Sequence, residues 1–410
     1  MDVTLQNIFT ESFQHYAAGK SLPAKYYKAA NAIMNCRTPY LGGREYACED
    51  GHEHHSQYHS CKHRSCPLCN ELPKARWVDA QHGRLLACDH YHVIFTLPHE
   101  LLDLWRFNSR WFSDALFQAG RDTLMTLLQD ERHLGALPGI IMALHTWGRN
   151  LSLHPHMHCL VTGGGLDEEQ HWRAVRYHYL LPVAVVKALF KGKLLAQLWT
   201  ALNNNTLSLP PYVQRADVQR LLRKLNDKKW NVRLQERYAH GRGVMLYLSR
   251  YVKGGAVSNK RISCAAGSQV LMRYKDHRDN RYKSMALKRV HFIERVLWHV
   301  PEPGQHTVRQ YGLYAYQARS KREQCRMELG QAPEQEKATP LEWQAFLDGL
   351  GLSAKGKCSK CGKPLIRCDV ISPLRRDNEN SIYKYPRARF VQQDARPDPS
   401  TSNFSIRGPT

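Results

Sequence analysis

Three histidines have the type and spacing needed to hold a metal ion. His156 and His158 flank Met157, and alternate residues of a β-strand project from one face, so the two imidazoles are predicted to point the same way. His145 lies on the apolar segment before them, and a hairpin with its turn near Asn150 would bring it beside the pair. Because three imidazoles leave coordination positions open for a substrate, we predict a catalytic rather than a structural metal.

Two tyrosines supply candidate nucleophiles. Tyr247 and Tyr251 lie in a predicted helix over 244–252, where residues i and i+4 share a face. Such pairs usually pack at a core edge, but from Arg220 to Arg261 there are 12 Lys or Arg and two acids. A phenol with a pKa of roughly 10 needs nearby cations or a bound metal to become a nucleophile. The cations of this segment that we expect to bind DNA phosphates are Lys228, Lys229, Arg250, Lys253, Lys260 and Arg261.

Clustered cysteines predict a second kind of metal site. Five of the 12 cysteines lie between Cys36 and Cys69, and three lie between Cys358 and Cys368. The first residues lack the pattern of an export signal. C-x-x-C pairs in such a chain are typical of zinc sites in a reducing compartment and not of a disulfide framework.

The spacing of the cysteines near the N-terminus does not determine which of them bind the same zinc ion. Cys66 and Cys69 form a zinc knuckle, whose expected partner is a second C-x-x-C pair beginning at Cys48. That pair lacks its second cysteine, and His52 is the best substitute, with Asp50 or His54 as alternatives. The predicted N-terminal zinc ligands are therefore Cys36, Cys48, His52, Cys61, Cys66 and Cys69, which would serve one zinc ion or two.

The C-terminal cysteines predict a further zinc ion or half of a degenerate site. Cys358 and Cys361 form another knuckle, followed by Gly362 at a tight turn. Cys368 is the nearest residue that could complete it, with Cys325 a distant alternative.

Periodicity indicates which elements position these residues. Strands are predicted at 92–98, 139–147, 156–165, 230–235 and 270–274, and helices at 99–131 and 182–202. Residues 283–320 are predicted to be mostly helical. Mixed strands and helices favour an α+β core.

Composition indicates the partner. The 410 residues are 42% hydrophobic, enough for a sizeable core, and carry a net charge of +23. Such an excess predicts a polyanionic partner, nucleic acid first and an anionic membrane second. The longest apolar run, 179–190, is interrupted by Pro182 and Lys187, so no membrane span is expected and a cytoplasmic protein is predicted.

Several motifs together resemble a known family. FTLP (Phe95–Pro98), HTWGRNL followed by HPHMHCLVTGGG (His145–Gly165), and YLSRY followed by SNKRI (Tyr247–Ile262) occur in that order behind the cysteine-rich start. Together they closely resemble the two-tyrosine transposases of the HUH endonuclease superfamily, from bacterial rolling-circle insertion sequences.

The resemblance implies a fold and a domain organisation. It implies an α+β fold with an HUH-like antiparallel sheet, flanking helices and a small N-terminal zinc-binding domain. The expected regions are a zinc-binding domain at 1–85, a nuclease domain at 86–320, a basic region at 321–375 and a disordered tail at 376–410.

The resemblance also implies a reaction. Single-stranded DNA at an element end would bind against Mg²⁺ or Mn²⁺ held by His156 and His158, and Tyr247 or Tyr251 would attack to give a 5′-phosphotyrosine. Manganese suits imidazole ligands better than magnesium, and zinc is a further alternative. His145 as third ligand follows from spacing, with Gln235 or Asn150 as alternatives. Such a transposase would be cytoplasmic and associated with the nucleoid.

Two other functions fit part of this pattern. The same chemistry could serve a plasmid or phage replication initiator or a relaxase, although tyrosines that follow the H-x-H pair disfavour the relaxase order. A zinc-dependent DNA-binding protein that kept the fold without catalysis is the alternative from another class.

Overall fold

A computed structural model describes most of the chain. The described residues are 3–176, 179–235, 237, 254–263, 269–276, 279–334, 345–346, 350 and 356–374. All of them except Leu374 belong to one compact unit, Met1–Pro373. The predicted helix at 244–252 and the predicted tail at 376–410 fall outside the described residues.

Helices and strands are interspersed along this unit. The helices are α1 (Leu5–Ala17), α2 (Ala24–Asn35), α3 (Glu71–His82), α4 (Leu102–Phe107), α5 (Ser109–Leu128), α6 (Val183–Asn203), α7 (Arg215–Asp227), α8 (Arg289–Trp298) and α9 (Arg319–Glu328). The strands are β1 (Gly43–Ala47), β2 (His54–Tyr58), β3 (His90–Thr96), β4 (Leu137–Trp147), β5 (Leu153–Leu166), β6 (Trp172–Ala174), β7 (Val232–Leu234), β8 (Gln269–Lys275), β9 (Tyr282–Lys288), β10 (Val308–Gly312) and β11 (Ile366–Ile371).

The largest sheet is antiparallel and is built around the β4–β5 hairpin. Its strand order is β10–β4–β5–β3–β7, and β6 pairs with β5 outside this path. The hairpin turn is closed by a hydrogen bond from Gly148 N–H to the Ser152 carbonyl at 2.9 Å. The hairpin that the sequence predicted near Asn150 is confirmed.

The two faces of this sheet differ in chemistry because side chains alternate along each strand. One face carries apolar residues such as Phe95 and Met157, which pack in the main core with helices α5 and α6. Gly120 of α5 faces this layer closely, since a Cβ there would lie 2.3 Å from the Met157 Cε and would require that methyl group to move. The opposite face carries the histidines of β3, β4 and β5, so the apolar core fixes the strands that present them.

A second, three-stranded sheet combines the two ends of the described chain. Its order is β11–β1–β2, and both pairs are antiparallel. The sequence predicts a basic C-terminal region at 321–375. The structure places Ile366–Ile371 of this region against Gly43–Ala47, because β1 offers β11 an edge for main-chain hydrogen bonding.

One predicted helical stretch contains strands. Over 283–320 only Arg289–Trp298 and the start of α9 are helical, while β9 pairs with β8 and β10 pairs with β4. Both strands are set by pairing with other segments, which local composition does not reveal.

The α+β class, with an antiparallel sheet flanked by helices, is confirmed. Among the described helices, none combines the length and apolarity that crossing a bilayer requires.

Candidate active site and metal centres

The three predicted histidines lie together on neighbouring strands. In the β4–β5 register His145 is paired directly with His156, and His158 follows two residues along β5. One ring nitrogen from each histidine lies within 4.8 Å of the others. His145 and His158 are 1% and 3% exposed, whereas His156 is half-buried. The cluster is therefore reached from solvent beside His156.

Hydrogen bonds orient two of these imidazoles. His156 Nδ1 donates to the main-chain carbonyl of His154 at 2.6 Å, which leaves Nε2 with a lone pair in the neutral ring. Nδ1 of His158 lies 2.8 Å from Nε2 of His92, and Nδ1 of His92 lies 2.6 Å from Oε1 of Gln235. Since an amide oxygen only accepts, His92 donates to Gln235 and accepts from His158. Nε2 of His158 is then also unprotonated.

Burial keeps the cluster neutral. Together with the charges of neighbouring histidines, it lowers the pKa of His156 to about 4 and that of His158 to about 2. The pKa of His145 lies well below its usual value, first through burial, then through His158 and His156, and in smaller part through the charge of Arg64. Neutral imidazoles are the form that binds a metal ion, so the donor set fits a divalent cation.

The structure separates the alternatives for the third ligand. His145 lies within the cluster, whereas Gln235 is hydrogen-bonded to His92, which in turn contacts His158. Asn150 accepts from the Ser152 N–H in the hairpin turn at 3.3 Å. His92 was not among the predicted site residues, although it begins a predicted strand.

The predicted nucleophiles are not placed by the structure. Tyr247 and Tyr251, with the neighbouring cations Arg250 and Lys253, lie outside the described residues.

The other predicted DNA contacts differ in their surroundings. Lys229 and Lys260 are exposed, and Lys228 pairs with the Glu100 carboxylate. Arg261 donates to the carbonyls of Arg273, Ala256 and Arg149, so its guanidinium fastens the loop before β8 to the β4–β5 turn.

Four cysteines of the N-terminal segment converge on one point. The Sγ atoms of Cys36, Cys61, Cys66 and Cys69 lie within 4.8 Å of one another. The Cys36–Cys69 and Cys61–Cys69 distances are 3.3 and 3.6 Å, close to the edge of about 3.8 Å expected for a ZnS₄ tetrahedron. Hydrogen bonds from Cys61 and Cys66 lower the pKa of the Cys36 thiol to about 7. The described cysteines form no disulfide.

The remaining predicted zinc ligands form a different set from the one expected. Cys48 and His52 do not join the knuckle at Cys66 and instead lie beside Cys358 and Cys361, with all four ligand atoms within 4.8 Å.

Cys368 does not complete the C-terminal knuckle as predicted. Its Sγ lies 3.9 Å from the His54 Nε2, on the surface of the three-stranded sheet. The physical reason for both differences is the pairing of β11 with β1, which brings the two knuckles together.

A cavity of about 990 Å³ lies between the four-cysteine loop and the region around β10. Its lining includes the indole of Trp77 and the carboxylate of Glu71. Four cations also line it: Arg37, Lys62, Arg64 and Arg76. Arg37 and Lys62 each directly follow a clustered cysteine and have positive φ angles of 57° and 53°. The cavity is thus basic. The charge of Arg64, one of its lining residues, also lowers the pKa of His145.

Comparison with known proteins gives two family matches. Residues 139–323 match a family model described as "Putative transposase", and residues 8–97 match one described as "Transposase zinc-binding domain".

Two relatives are similar over most of their length. The chain is 34% identical to "Putative transposase y4qJ" of Sinorhizobium fredii (strain NBRC 101917 / NGR234), over 83% of this chain and 88% of the relative. It is 31% identical to "Transposase for insertion sequence element IS801" of Pseudomonas savastanoi pv. phaseolicola, over 76% of each chain.

Proposed function

The chain belongs to the family of insertion-sequence transposases that includes the IS801 protein, and on this premise we propose that it nicks single-stranded DNA at element ends through a covalent 5′-phosphotyrosine. The same protein would then transfer the strand in rolling-circle transposition. The observation that carries the proposal is the buried, neutral cluster of His145, His156 and His158 on one sheet face.

These histidines are proposed to hold Mg²⁺ or Mn²⁺. The Nε2 lone pairs of His156 and His158 suit the role, and His145 is proposed as the third ligand. When bound, a divalent ion would stabilise the negative charge that develops on the scissile phosphate. Three imidazoles leave room for phosphate oxygens, unlike a closed structural site.

The nucleophile is proposed to be Tyr247 or Tyr251. The phenolic oxygen forms a bond to phosphorus while the bond from phosphorus to the 3′-oxygen breaks. The phenol loses its proton, and the released 3′-oxygen ends as a hydroxyl. The phosphodiester energy is kept in the phosphotyrosine, so attack by a 3′-hydroxyl can rejoin the strand without ATP.

The strand is proposed to run along the basic cavity. Arg37, Lys62 and Arg76 would contact successive phosphates, and the half-buried indole of Trp77 offers a surface on which a base can stack. Arg64 also lines this cavity, and its charge lowers the pKa of His145, so we expect it to contact the strand on the side of the histidines.

The N-terminal region contains a zinc-binding domain by family, and the four-cysteine cluster is proposed as its zinc site. A zinc ion there would hold Arg37 and Lys62 in the left-handed backbone conformation that β-carbon-bearing residues rarely adopt. The zinc module would thereby present cations to DNA.

A nicking assay tests the proposal. Labelled single strands carrying the ends of the chain's own element are incubated with purified protein and Mn²⁺. We expect cleavage by the parent chain and a loss of at least 100-fold in His156→Ala and in His158→Ala. His154→Ala is the matched control, because it keeps the carbonyl that orients His156 and lies outside the cluster. Cleavage that survives both cluster substitutions would contradict the proposal.

A further inference from the structure

A segment near the N-terminus and a C-terminal segment meet at a second cluster of four possible metal ligands. We infer that Cys48, His52, Cys358 and Cys361 bind one zinc ion, which fastens the C-terminal segment to the N-terminal module. This inference concerns the architecture and is independent of the nicking reaction.

The distances suit a Cys₃His zinc site. Sγ of Cys48 lies 3.4 Å from Sγ of Cys361 and 3.8 Å from Nδ1 of His52. Sγ of Cys358 lies 4.0 Å from the same imidazole nitrogen. Bond lengths of about 2.3 Å to sulfur and 2.0 Å to nitrogen give tetrahedral edges of about 3.5–3.8 Å. The four atoms therefore need only small shifts to surround one ion.

Each half of the cluster is a tight turn that brings its two ligands together. In the first turn, Gly51 N–H donates to the Cys48 carbonyl at 2.9 Å. In the second, Gly362 N–H donates to the Cys358 carbonyl at 2.9 Å, and Gly362 has a φ of +75°. Glycine is favoured at such an angle, so the sequence after Cys361 is suited to this turn.

Contacts around the cluster join the same two turns. Ser359 N–H donates to the Glu53 carboxylate at 3.0 Å, and the Ser359 hydroxyl donates to the same carboxylate. The Lys363 ammonium pairs with Asp50 at 2.8 Å. These contacts place the turns without a metal, and a zinc ion would then lock residues that are 313 positions apart in sequence.

Four protein ligands make this a closed, structural site. It offers no open position for a substrate, in contrast to the three histidines of the central sheet. The adjoining β1–β11 pair continues from it through Ala47 and Ile366, so metal binding at this end would hold β11 on the sheet.

Zinc stoichiometry tests the inference. The full chain is purified with His156→Ala and His158→Ala, so that the central histidines contribute no bound metal and activity plays no part in the result. After dialysis against a weak chelator, we expect two zinc ions per chain. Adding Cys358→Ser and Cys361→Ser, or Cys48→Ser alone, is expected to lower the count to one. Cys368→Ser is the matched control and is expected to leave two.

A conservative substitution distinguishes the loss of a zinc ligand from the loss of folding. Cys361→His replaces one zinc ligand with another at an exposed position and is expected to retain two zinc ions. Cobalt substitution should give a tetrahedral absorption band of about half the parent intensity in the Cys358→Ser, Cys361→Ser chain. An unchanged zinc count in that chain, or a Cys48–Cys361 disulfide in the parent, would overturn the inference.

Discussion

The hydrogen bond between His158 and His92 determines which nitrogen of His158 is left unprotonated for the proposed metal ion. Nε2 of His92 accepts from Nδ1 of His158 because its own Nδ1 donates to Gln235. Loss of such an outer hydrogen bond typically weakens metal binding 10- to 100-fold. We therefore expect His92→Ala to raise the Kd for Mn²⁺ by about that factor, measured by calorimetry.

The neighbouring His90 provides the control for this prediction. It is equally buried on the same strand, but its ring binds the Tyr314 hydroxyl and the Cys88 carbonyl. His90→Ala should disturb packing to a similar extent while leaving the Kd for Mn²⁺ unchanged. Equal affinities in the parent and His92→Ala chains would show that His92 does not orient the site.

Two other buried histidines predict how stability depends on pH. Burial lowers the pKa of His90 and of His299 to about 4 in the folded chain, against about 6.5 when unfolded. The unfolded state binds more protons between these values, so the free energy of unfolding falls as the pH drops from 6.5 to 4. Each histidine contributes at most about 1.4 kcal/mol per pH unit. In denaturant unfolding, the free energy of unfolding of His299→Gln should fall less steeply than that of the parent as the pH drops over this window. Equal slopes for the two chains would contradict the lowered pKa of His299.

The sequence predicted the cluster of three histidines but not the fourth histidine, His92, that contacts it. A period of two places His156 and His158 on one face, and the short link to the preceding strand brings His145 beside them. His92 joins the cluster only because β3 pairs with β5, and no local pattern records which strands become neighbours.

The β5 strand connects the histidine face of the sheet to the apolar core. Met157 lies between the two histidines, is fully buried on the opposite face, and packs against α5 at Gly120. Met157→Ala would leave a cavity beneath the histidine strand and is expected to lower the free energy of unfolding by about 2–5 kcal/mol. Met157→Leu conserves volume and should cost less than about 1.5 kcal/mol. Equal stabilities of the Ala and Leu chains would contradict this packing.

Elements were predictable where their pattern is local. The strands containing Phe95, His145 and His158 follow from short apolar segments bounded by turn residues. The segments that form β9 and β10 were wrongly predicted to be helical. Their strand conformation is determined by pairing with β8 and β4 and not by residue periodicity.

At the scale of the whole molecule, the ligand sets of the cysteines could not be derived from spacing. Cys48 has its nearest partner in sequence at His52, but its other neighbours come from the far end of the chain. Spacing favours the knuckle at Cys66 as partner, whereas the β1–β11 pairing brings Cys358 instead.

The basic cavity predicts a defined salt dependence of DNA binding. Replacing Arg37, Lys62 and Arg76 with Gln removes three proposed phosphate contacts. The slope of log K against log salt for single-stranded DNA should become shallower by about 2. Fluorescence anisotropy over a salt series measures this slope.

The matched control carries three charge-removing substitutions on helix α7: Arg220→Gln, Arg223→Gln and Lys224→Gln. It has the same change in net charge and should retain a slope close to the parent's. Identical slopes for the two triple variants would show that binding follows net charge and not the cavity.

The most direct test of the central claim is to identify the covalent bond between protein and DNA. The purified chain is incubated with Mn²⁺ and a single-stranded element end, digested, and examined by mass spectrometry for a nucleotide-linked peptide. We predict a 5′-phosphate joined to Tyr247 or Tyr251, with no adduct in the Tyr247→Phe, Tyr251→Phe chain. Cleavage without a covalent adduct, or an adduct that persists in the double variant, would contradict the proposed reaction.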